Sequence, residues 1–284
     1  MIEGLPVLDA HIHLDPAGSN LDAVRRFLHS GGTHLMIIHK PYHNLPVKDI
    51  GDYRRSFETT MDLCRSARKV GAGSWCFIGP YPGELPYLAK EKGLEEAFDL
   101  QIRAVEESLK LVEEGEALGI GEVGRVHFDV DKEVQEACDD VLSYVLRGAR
   151  AVGCPVVLHT ESYHSNPGLM EHLASLMDRV SFPRVKAIKH YSGPDLIAPE
   201  HNLGISLSIQ CRRENLSLLL ESEYDHLLET DFVDDPSRPN VVMPPDTVPK
   251  KVRWAYQHGI IDKDRHSRLM IDLPTKVFGI ETNV

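Results

Sequence analysis

Eight short apolar runs rich in β-branched residues, each followed by a longer segment with helical spacing, are the feature that most constrains this fold. These runs are residues 6–11, 34–39, 73–78, 117–123, 155–159, 185–190, 204–209 and 226–230. Strands that alternate with helices are typical of a parallel sheet wrapped by helices. We therefore predict an α/β fold, a (β/α)8 TIM barrel.

The length of 284 residues fits one large barrel or two small domains. Because no internal repeat, low-complexity tract or linker divides the chain, we expect a single domain over residues 1–284. Two proline-rich segments, 80–92 and 234–249, are longer than an ordinary barrel connection. They are predicted to be long loops, which are either lids over a site or surface insertions.

Several helix ends are recognisable. Asn20 is expected to cap a helix over 21–30, and Asp52 a helix that continues to Gly71. Amphipathic spacing predicts further helices over 94–114 and 132–152. Pro167 suits the first turn of another helix.

The overall composition excludes some classes of protein. A formal net charge of −12 argues against a broad basic surface for nucleic acid, so a phosphate substrate would need local cations. The five cysteines contain no CxxC pair, which predicts neither a disulfide framework nor a zinc-thiolate site and is typical of a reducing compartment. No apolar stretch has the length of a membrane span, and the first residues lack the basic start of a secretory signal. We therefore expect a cytoplasmic protein without membrane contact.

The strongest local signal is a pair of histidines, His11 and His13, at the end of the first predicted strand. Residues at i and i+2 of a strand lie on one face, so both imidazoles can bind the same metal ion. The alternative is that such a pair consists of ordinary histidines at a barrel mouth that bind no metal.

Four other chemically suitable side chains end predicted strands. These residues are Glu122, His159, His190 and Asp231. A lone buried carboxylate such as Glu122 would cost several kcal/mol unless a cation paired with it, although a salt-bridged core glutamate is the alternative. Since barrel enzymes hold their active sites at the carboxyl ends of the strands, the six residues together predict one metal site.

At this point the sequence resembles the TatD-related metal-dependent hydrolases of the amidohydrolase superfamily. The resemblance extends from Asp9 to about Asp231 and includes Gln135. It rests on DAHIHLD at 9–15, GEVG at 121–124, PVVLH at 155–159, HYSG at 190–193 and LETD at 228–231.

The resemblance implies a barrel with two adjacent divalent ions that hydrolyses phosphodiesters, typically in DNA. It assigns His11, His13 and Asp231 to one ion, and His159 and His190 to the other. Glu122 would bridge the two ions.

Two divalent ions would activate a water molecule and neutralise phosphoryl charge. Asp231 is the expected proton acceptor, so Asp231 and Glu122 are the predicted catalytic carboxylates. Four imidazole ligands favour zinc, manganese or another transition ion, although magnesium stays open.

Substrate contacts are harder to identify from the sequence. Lys40 and Arg125 follow predicted strands and either bind a phosphate at the rim or are solvated surface charges. Four further histidines, His39, His43, His127 and His164, are expected at the rim or on the surface, and of these His127 is expected to lie beside a metal ligand. The pair Asp234-Asp235 is expected to be a loop feature.

Three functions compete. The first is a phosphodiesterase or deoxyribonuclease that acts at a DNA strand end. The second is hydrolysis of a small molecule, as by an amidohydrolase, lactonase or phosphoesterase. The absence of an arginine two positions after His159 favours this second function, whereas Glu122, which stands where related barrels with bridged metal pairs often use a modified lysine, favours the first; Arg125 also departs from the TatD pattern. The third is a non-catalytic scaffold, which the six retained ligands oppose. Oligomeric state has no sequence signal.

Overall fold

A single curled sheet of parallel strands forms the centre of the molecule. The computed structural model describes residues 4–216, 221–238 and 242–282. Within them the strands are β1 (Leu8–His13), β2 (His34–Ile38), β3 (Gly73–Ile78), β4 (Gly119–Gly124), β5 (Val156–His159), β6 (Ala187–Ser192), β7 (Ser206–Gln210), β8 (Leu227–Glu229) and β9 (Phe232–Val233). Their order is β8-β7-β6-β5-β4-β3-β2-β1-β9, with parallel pairing throughout.

Two short strands close the barrel where one strand was predicted over 226–230. The first, β8, lies within that range and pairs with β7, and the second, β9, follows it and pairs with β1. Asp231 lies between the two strands with a φ of 51°, and its backbone N–H donates to the carbonyl of His11 at 3.0 Å. The fold is therefore a TIM-barrel-like α/β fold, as predicted.

Helices cover the outside of the sheet. They are α1 (Leu21–His29), α2 (Ile50–Lys69), α3 (Glu84–Lys92), α4 (Leu94–Glu113), α5 (Lys132–Val152), α6 (Leu169–Val180), α7 (Pro199–Asn202), α8 (Thr247–Gln257), α9 (Lys263–Ser267) and α10 (Leu273–Phe278). Short 3₁₀ turns occupy Arg184–Lys186 and Pro194–Leu196, and a π-helical turn, Arg268–Asp272, joins α9 to α10. None of the helices in the described ranges is long and apolar enough to span a membrane.

Helix α5 shows how the outer layer packs. Its buried residues recur at steps of three and four, so one stripe of the helix faces the sheet. Leu142 is fully buried on this stripe. The helix ends at Gly153 in the left-handed conformation, with a φ of 82°, which glycine adopts at little cost.

Several predicted boundaries need correction. Strand β1 ends at His13 rather than residue 11, because its parallel pairing continues to β2 and β9. Helix α2 is capped by Asp49 rather than Asp52: the two form a capping box, in which each side chain accepts from the other's backbone N–H. Asn20 occupies the N-cap of α1, but its side chain makes no capping hydrogen bond.

Of the two long segments predicted to be loops, 80–92 differs from the prediction, whereas the described residues of 234–246 are irregular as predicted and only 247–249 are helical. Residues 80–92 are mostly helical, since α3 fills the segment from Glu84 onward. Pro167 precedes α6 by two residues, and Gly168 takes its N-cap position. In 234–249, Asp234 accepts backbone N–H bonds from Asp15, Ser19 and Asn20 at 2.7–3.2 Å, while 239–241 lie outside the described residues.

Candidate metal centre

The six predicted ligands meet at the carboxyl ends of the strands. Each comes from the end of a strand or from the break between β8 and β9: His11 and His13 from β1, Glu122 from β4, His159 from β5, His190 from β6, and Asp231 from the break. All are buried except His159, which is half-buried. The convergence follows from the barrel, because parallel strands present their carboxyl ends at one rim.

One group of ligand atoms surrounds the first oxygen of Glu122. The Nε2 atoms of His11 and His13 are 3.1 Å apart and lie 2.9 and 3.7 Å from Glu122 Oε1. Asp231 Oδ1 lies 3.9 Å from His11 Nε2 and 3.7 Å from His13 Nε2. Two imidazole nitrogens and one oxygen of Glu122, with the Asp231 carboxylate nearby, therefore surround one position that an ion can occupy.

A second group lies on the other side of the same carboxylate. His159 Nδ1 is 3.2 Å from Glu122 Oε2, and His190 Nε2 is 3.1 Å from Glu122 Oε1. The two histidine nitrogens are 3.3 Å apart. Glu122 thus belongs to two adjacent groups of potential ligands, which is the arrangement a bridging carboxylate requires.

The electrostatics of the site suit cation binding. Burial lowers the pKa of His13 to about 4 and that of His190 well below its usual value, so both imidazoles are neutral. Burial raises the pKa of Glu122, but the imidazoles packed around the carboxylate, which include the hydrogen-bonding His11, outweigh burial and hold this pKa well below the usual range. A neutral imidazole and an ionised carboxylate are the protonation states that bind metal.

His11 behaves differently. Burial lowers its pKa, but the carboxylates of Glu122, Glu229 and Asp231 together outweigh burial and raise the pKa to about 9. A proton on His11 therefore compensates part of the buried negative charge. A divalent cation at the same position would compensate more of it. Metal binding and protonation compete at this residue.

The residues present fit a metal ion. Glu122 Oε1 is buried with no aligned hydrogen-bond donor, although three imidazole Nε2 atoms lie within 3.7 Å of it. The Nδ1 atom of His13 lies 2.9 Å from the carbonyl of Ile38, which holds a proton on Nδ1 and leaves Nε2 free as a ligand. Imidazole and carboxylate donors of this kind are typical of zinc and similar ions.

Several residues at the site were not predicted. Tyr81 places its hydroxyl 3.3 Å from His159 Nε2, but it lies in the segment that was expected to be a loop. Gln210 donates to Asp231 Oδ2 at 3.2 Å, and Lys189 donates from a nearly buried position to the carbonyl of His190 at 2.9 Å. Strand alternation could have indicated Gln210, which ends β7 at the same rim.

His127, by contrast, was expected beside a ligand. Its Nδ1 atom lies 2.7 Å from His159 Nε2. His39 is buried and bonds to Ser56 at 2.7 Å, so it is neither a rim nor a surface histidine, contrary to the prediction. Among the predicted rim histidines, His43 lines the cavity above the site and His164 lies on the surface.

The two predicted substrate contacts differ in position. Lys40 lines the cavity, where its ammonium pairs with Asp15 at 2.5 Å. Arg125 is held by Glu161 at 3.1 Å and by Asp139, and it is absent from the described residues that line the cavity. The structure therefore brings Lys40 to the site but directs the guanidinium of Arg125 into an internal ion-pair network.

An open cavity of about 860 Å³ leads from the surface to the ligands. Its wall contains polar, charged and aromatic side chains. Besides the candidate ligands His13, Glu122, His159, His190 and Asp231, the wall includes Lys40, His43, His127, Lys189, Tyr191 and Arg238. Cationic side chains thus line the cavity although the whole chain is acidic, and Asp15 and Asp235 line it with them.

Comparison with known proteins gives concordant matches. Residues 8–279 match the family described as TatD related DNase. An uncharacterised protein, MJ1127, of Methanocaldococcus jannaschii is 30% identical over 268 residues, which cover 93% of this chain and 92% of the relative.

Solved structures with the same fold are more distant in sequence. YJJV, a TatD homologue from Escherichia coli K12, has a TM-score of 0.65 and 17% identity, with coverage of 96% of this chain and 98% of the other. A phosphotriesterase homology protein from Escherichia coli, complexed with phosphate in its active site, has a TM-score of 0.58, 14% identity and coverage of 97% and 98%. At these identities the likeness establishes the fold alone.

Proposed function

This chain belongs to the TatD related DNase family, a family of metal-dependent hydrolases, and we propose that it is a phosphodiesterase that cleaves DNA at a strand end. The observation that carries the proposal is the sharing of Glu122 by two adjacent ligand groups at the base of an open cavity. Because the ligands are buried, the scissile bond has to enter the cavity, which a strand end does more readily than a continuous duplex.

The side chains divide into two sets around Glu122. In the proposal, His11, His13 and Asp231 hold one ion, and His159 and His190 hold the other. Two divalent ions supply a water molecule of lowered pKa and neutralise charge on the phosphoryl oxygens. Zinc or manganese suits the imidazole-rich donor set better than magnesium.

Asp231 is positioned to accept a proton. Its Oδ2 atom is held by Gln210, so Oδ1 is the atom that faces the ligand nitrogens of His11 and His13. Without a bound cation, burial raises the pKa of Asp231 well above its usual value, so the carboxylate readily holds a proton in this position. In the proposal, Asp231 orients the attacking water and takes its proton at Oδ1.

The cavity mouth supplies binding groups for a nucleotide. Lys40 and Arg238 provide positive charge, partly neutralised by Asp15 and Asp235. Tyr191 is 51% exposed and has the guanidinium of Arg212 5.8 Å from its ring centre. An exposed aromatic ring of this kind can stack on a base without reading its sequence.

A second candidate is hydrolysis of a small phosphate ester. It is favoured because Arg125 is engaged by Glu161, so it does not contribute positive charge to the cavity. The phosphotriesterase homology protein with phosphate in its active site has the same fold, which keeps this chemistry open for the barrel.

The decisive experiment is cleavage of a single-stranded oligonucleotide labelled at either end. Metal-stripped protein would receive zinc, manganese, cobalt or magnesium, beside His11→Ala and the surface control His201→Ala. We expect metal-dependent shortening from one end, a loss of about a hundredfold or more in His11→Ala and no change in the control. A small aryl phosphate ester is assayed in parallel.

The outcomes separate the two candidates. Turnover of the phosphate ester without cleavage of the oligonucleotide would replace the nuclease proposal with the second candidate. Equal rates for His11→Ala and the wild type at controlled metal concentration would refute the assigned metal site itself.

A further inference from the structure

Glu229 is a fully buried carboxylate that lies beneath the metal centre and has no role in the chemistry described above. It ends β8, two residues before Asp231. Its Oε2 atom is buried and has no hydrogen-bond partner among the described residues. A buried carboxylate costs several kcal/mol unless a positive or donating group compensates it, so its compensating partner has to be found nearby.

The groups that face Glu229 are the Ser208 hydroxyl, the Lys189 ammonium, the Tyr191 backbone N–H and two ligand histidines, His11 and His190. The two histidines are the neighbours that belong to the metal centre. The rings of His11 and His190 are stacked, with centroids 4.2 Å apart and planes 15° apart. Each directs its Nε2 atom toward Glu122, at 2.9 and 3.1 Å. The opposite nitrogen of each ring, Nδ1, is buried without a hydrogen-bond partner in the described part of the chain.

Glu229 lies at this opposite edge of the rings. Its Oε1 atom is 3.8 Å from His190 Nδ1, and each of the three residues places a ligand atom within 4.8 Å of those of the other two. An imidazole that binds a cation through Nε2 carries its proton on Nδ1, where it needs an acceptor. Glu229 lies 3.8 Å from His190 Nδ1 and within 4.8 Å of a ring nitrogen of His11, which is longer than a hydrogen bond but close enough for electrostatic attraction to both rings.

The same carboxylate also holds the chain that follows His190. The backbone N–H of Tyr191 donates to Glu229 Oε1 at 2.8 Å. Tyr191 has a φ of 52°, in the left-handed region that a tyrosine rarely adopts, so a specific contact is needed to maintain it. This contact aims the exposed ring of Tyr191 into the cavity.

We propose that Glu229 is a positioning residue that orients His11 and His190 through their Nδ1 atoms and so sets the affinity of both halves of the metal centre. In this role it is a counter-charge to the ligands and not a ligand itself, because both Nε2 atoms already face Glu122. The inference rests on the proposed metal site and adds a determinant that the six ligands do not include.

The test is metal binding by Glu229→Gln. Glutamine keeps the size of the side chain and an oxygen for the Tyr191 N–H, but it removes the negative charge. We expect the dissociation constants for Zn²⁺ and Co²⁺, measured by competition with a chromophoric chelator, to rise 10–100-fold with two ions still bound at saturation. The visible absorption of the Co²⁺ form should change as the imidazoles reorient.

Glu84→Gln is the matched control, because Glu84 is a half-buried carboxylate that bonds to the hydroxyl of Tyr53. Its metal affinity and Co²⁺ spectrum should equal those of the wild type. Circular dichroism of both variants in chelator establishes that they fold.

Each outcome has a distinct meaning. Unchanged affinities and spectrum in a folded Glu229→Gln variant would overturn the positioning role while the metal site stands. Loss of one whole ion with the other unaffected would also overturn it, since Glu229 would then be a ligand. A wild-type protein that binds neither Zn²⁺ nor Co²⁺ would refute the proposed function.

Discussion

The half-buried carboxylate of Glu84 makes the stability of the protein depend on pH in a direction that can be worked out. Glu84 opens α3 and accepts a hydrogen bond from the hydroxyl of the fully buried Tyr53 at 3.1 Å. Burial raises its pKa from 4.5 to about 7. The hydrogen bond lowers that pKa but does not offset the loss of hydration.

The sign follows from proton linkage. Below pH 4.5 Glu84 is protonated in both the folded and the unfolded chain, so the free energy of unfolding is not reduced by its ionisation. Between pH 4.5 and about 7 only the folded state keeps the proton, and stability falls as the pH rises. At 1.36 kcal/mol per pKa unit, the interval from 4.5 to about 7 corresponds to a loss of about 3 kcal/mol.

Glu84→Gln removes this loss because an amide does not ionise. In chelator at pH 8.5 we expect the variant to be more stable than the wild type by about 3 kcal/mol, which raises the midpoint of thermal unfolding by roughly 6 °C. At pH 5 the difference should shrink to below about 1 kcal/mol.

Thermal and urea unfolding at the two pH values measure the effect directly. Glu91→Gln changes an exposed residue on the same helix and is the control. Its unfolding midpoint should equal that of the wild type at each of the two pH values. A Glu84→Gln difference that is equal at pH 5 and pH 8.5 would refute the reasoning, because it would mean that Glu84 is not protonated on folding.

Two further variants test how the scaffold supports the site. Asp234→Ala leaves three backbone N–H groups of the 15–20 segment without their acceptor; we expect a loss of about 2–3 kcal/mol in the free energy of unfolding and faster proteolysis within that segment. Leu142→Ala opens a cavity under α5 and should cost about 2–5 kcal/mol, while metal affinity per folded molecule stays unchanged. Altered metal affinity in Leu142→Ala would contradict the separation of this core from the site.

The convergence of the six candidate ligands was predictable because each is tied to the end of an apolar run. Once the runs are arranged as a parallel barrel, strand ends converge, and His159 and His190 meet although neither carries a strong local signal. The pair His11 and His13 was predicted from alternation alone. The structure moves the end of β1 by two residues without changing the face on which either histidine lies.

Other features depend on long-range contacts that have no local pattern. Arg125 follows the shared carboxylate in sequence, yet it turns to Asp139 and Glu161, which lie in other parts of the chain. Glu229 reads in the sequence as one more polar residue at a strand end, and only the stacked rings above it reveal its position. Tyr81 was hidden in a proline-rich segment that favours a loop but precedes a helix.

The way in which the barrel closes has a consequence for folding. The seam between β1 and β9 joins segments that are far apart in the sequence, as in the hydrogen bond from the backbone N–H of Thr230 to Asp9 at a separation of 221 residues. The proposed cation between His11, His13 and Asp231 would lie across this seam and would cross-link two segments that a very long loop separates. The entropic cost of closing a loop rises with the length of the loop, so this cross-link would hold together the contact whose formation costs the most entropy. Metal binding at the proposed reaction centre would then also stabilise the closed barrel.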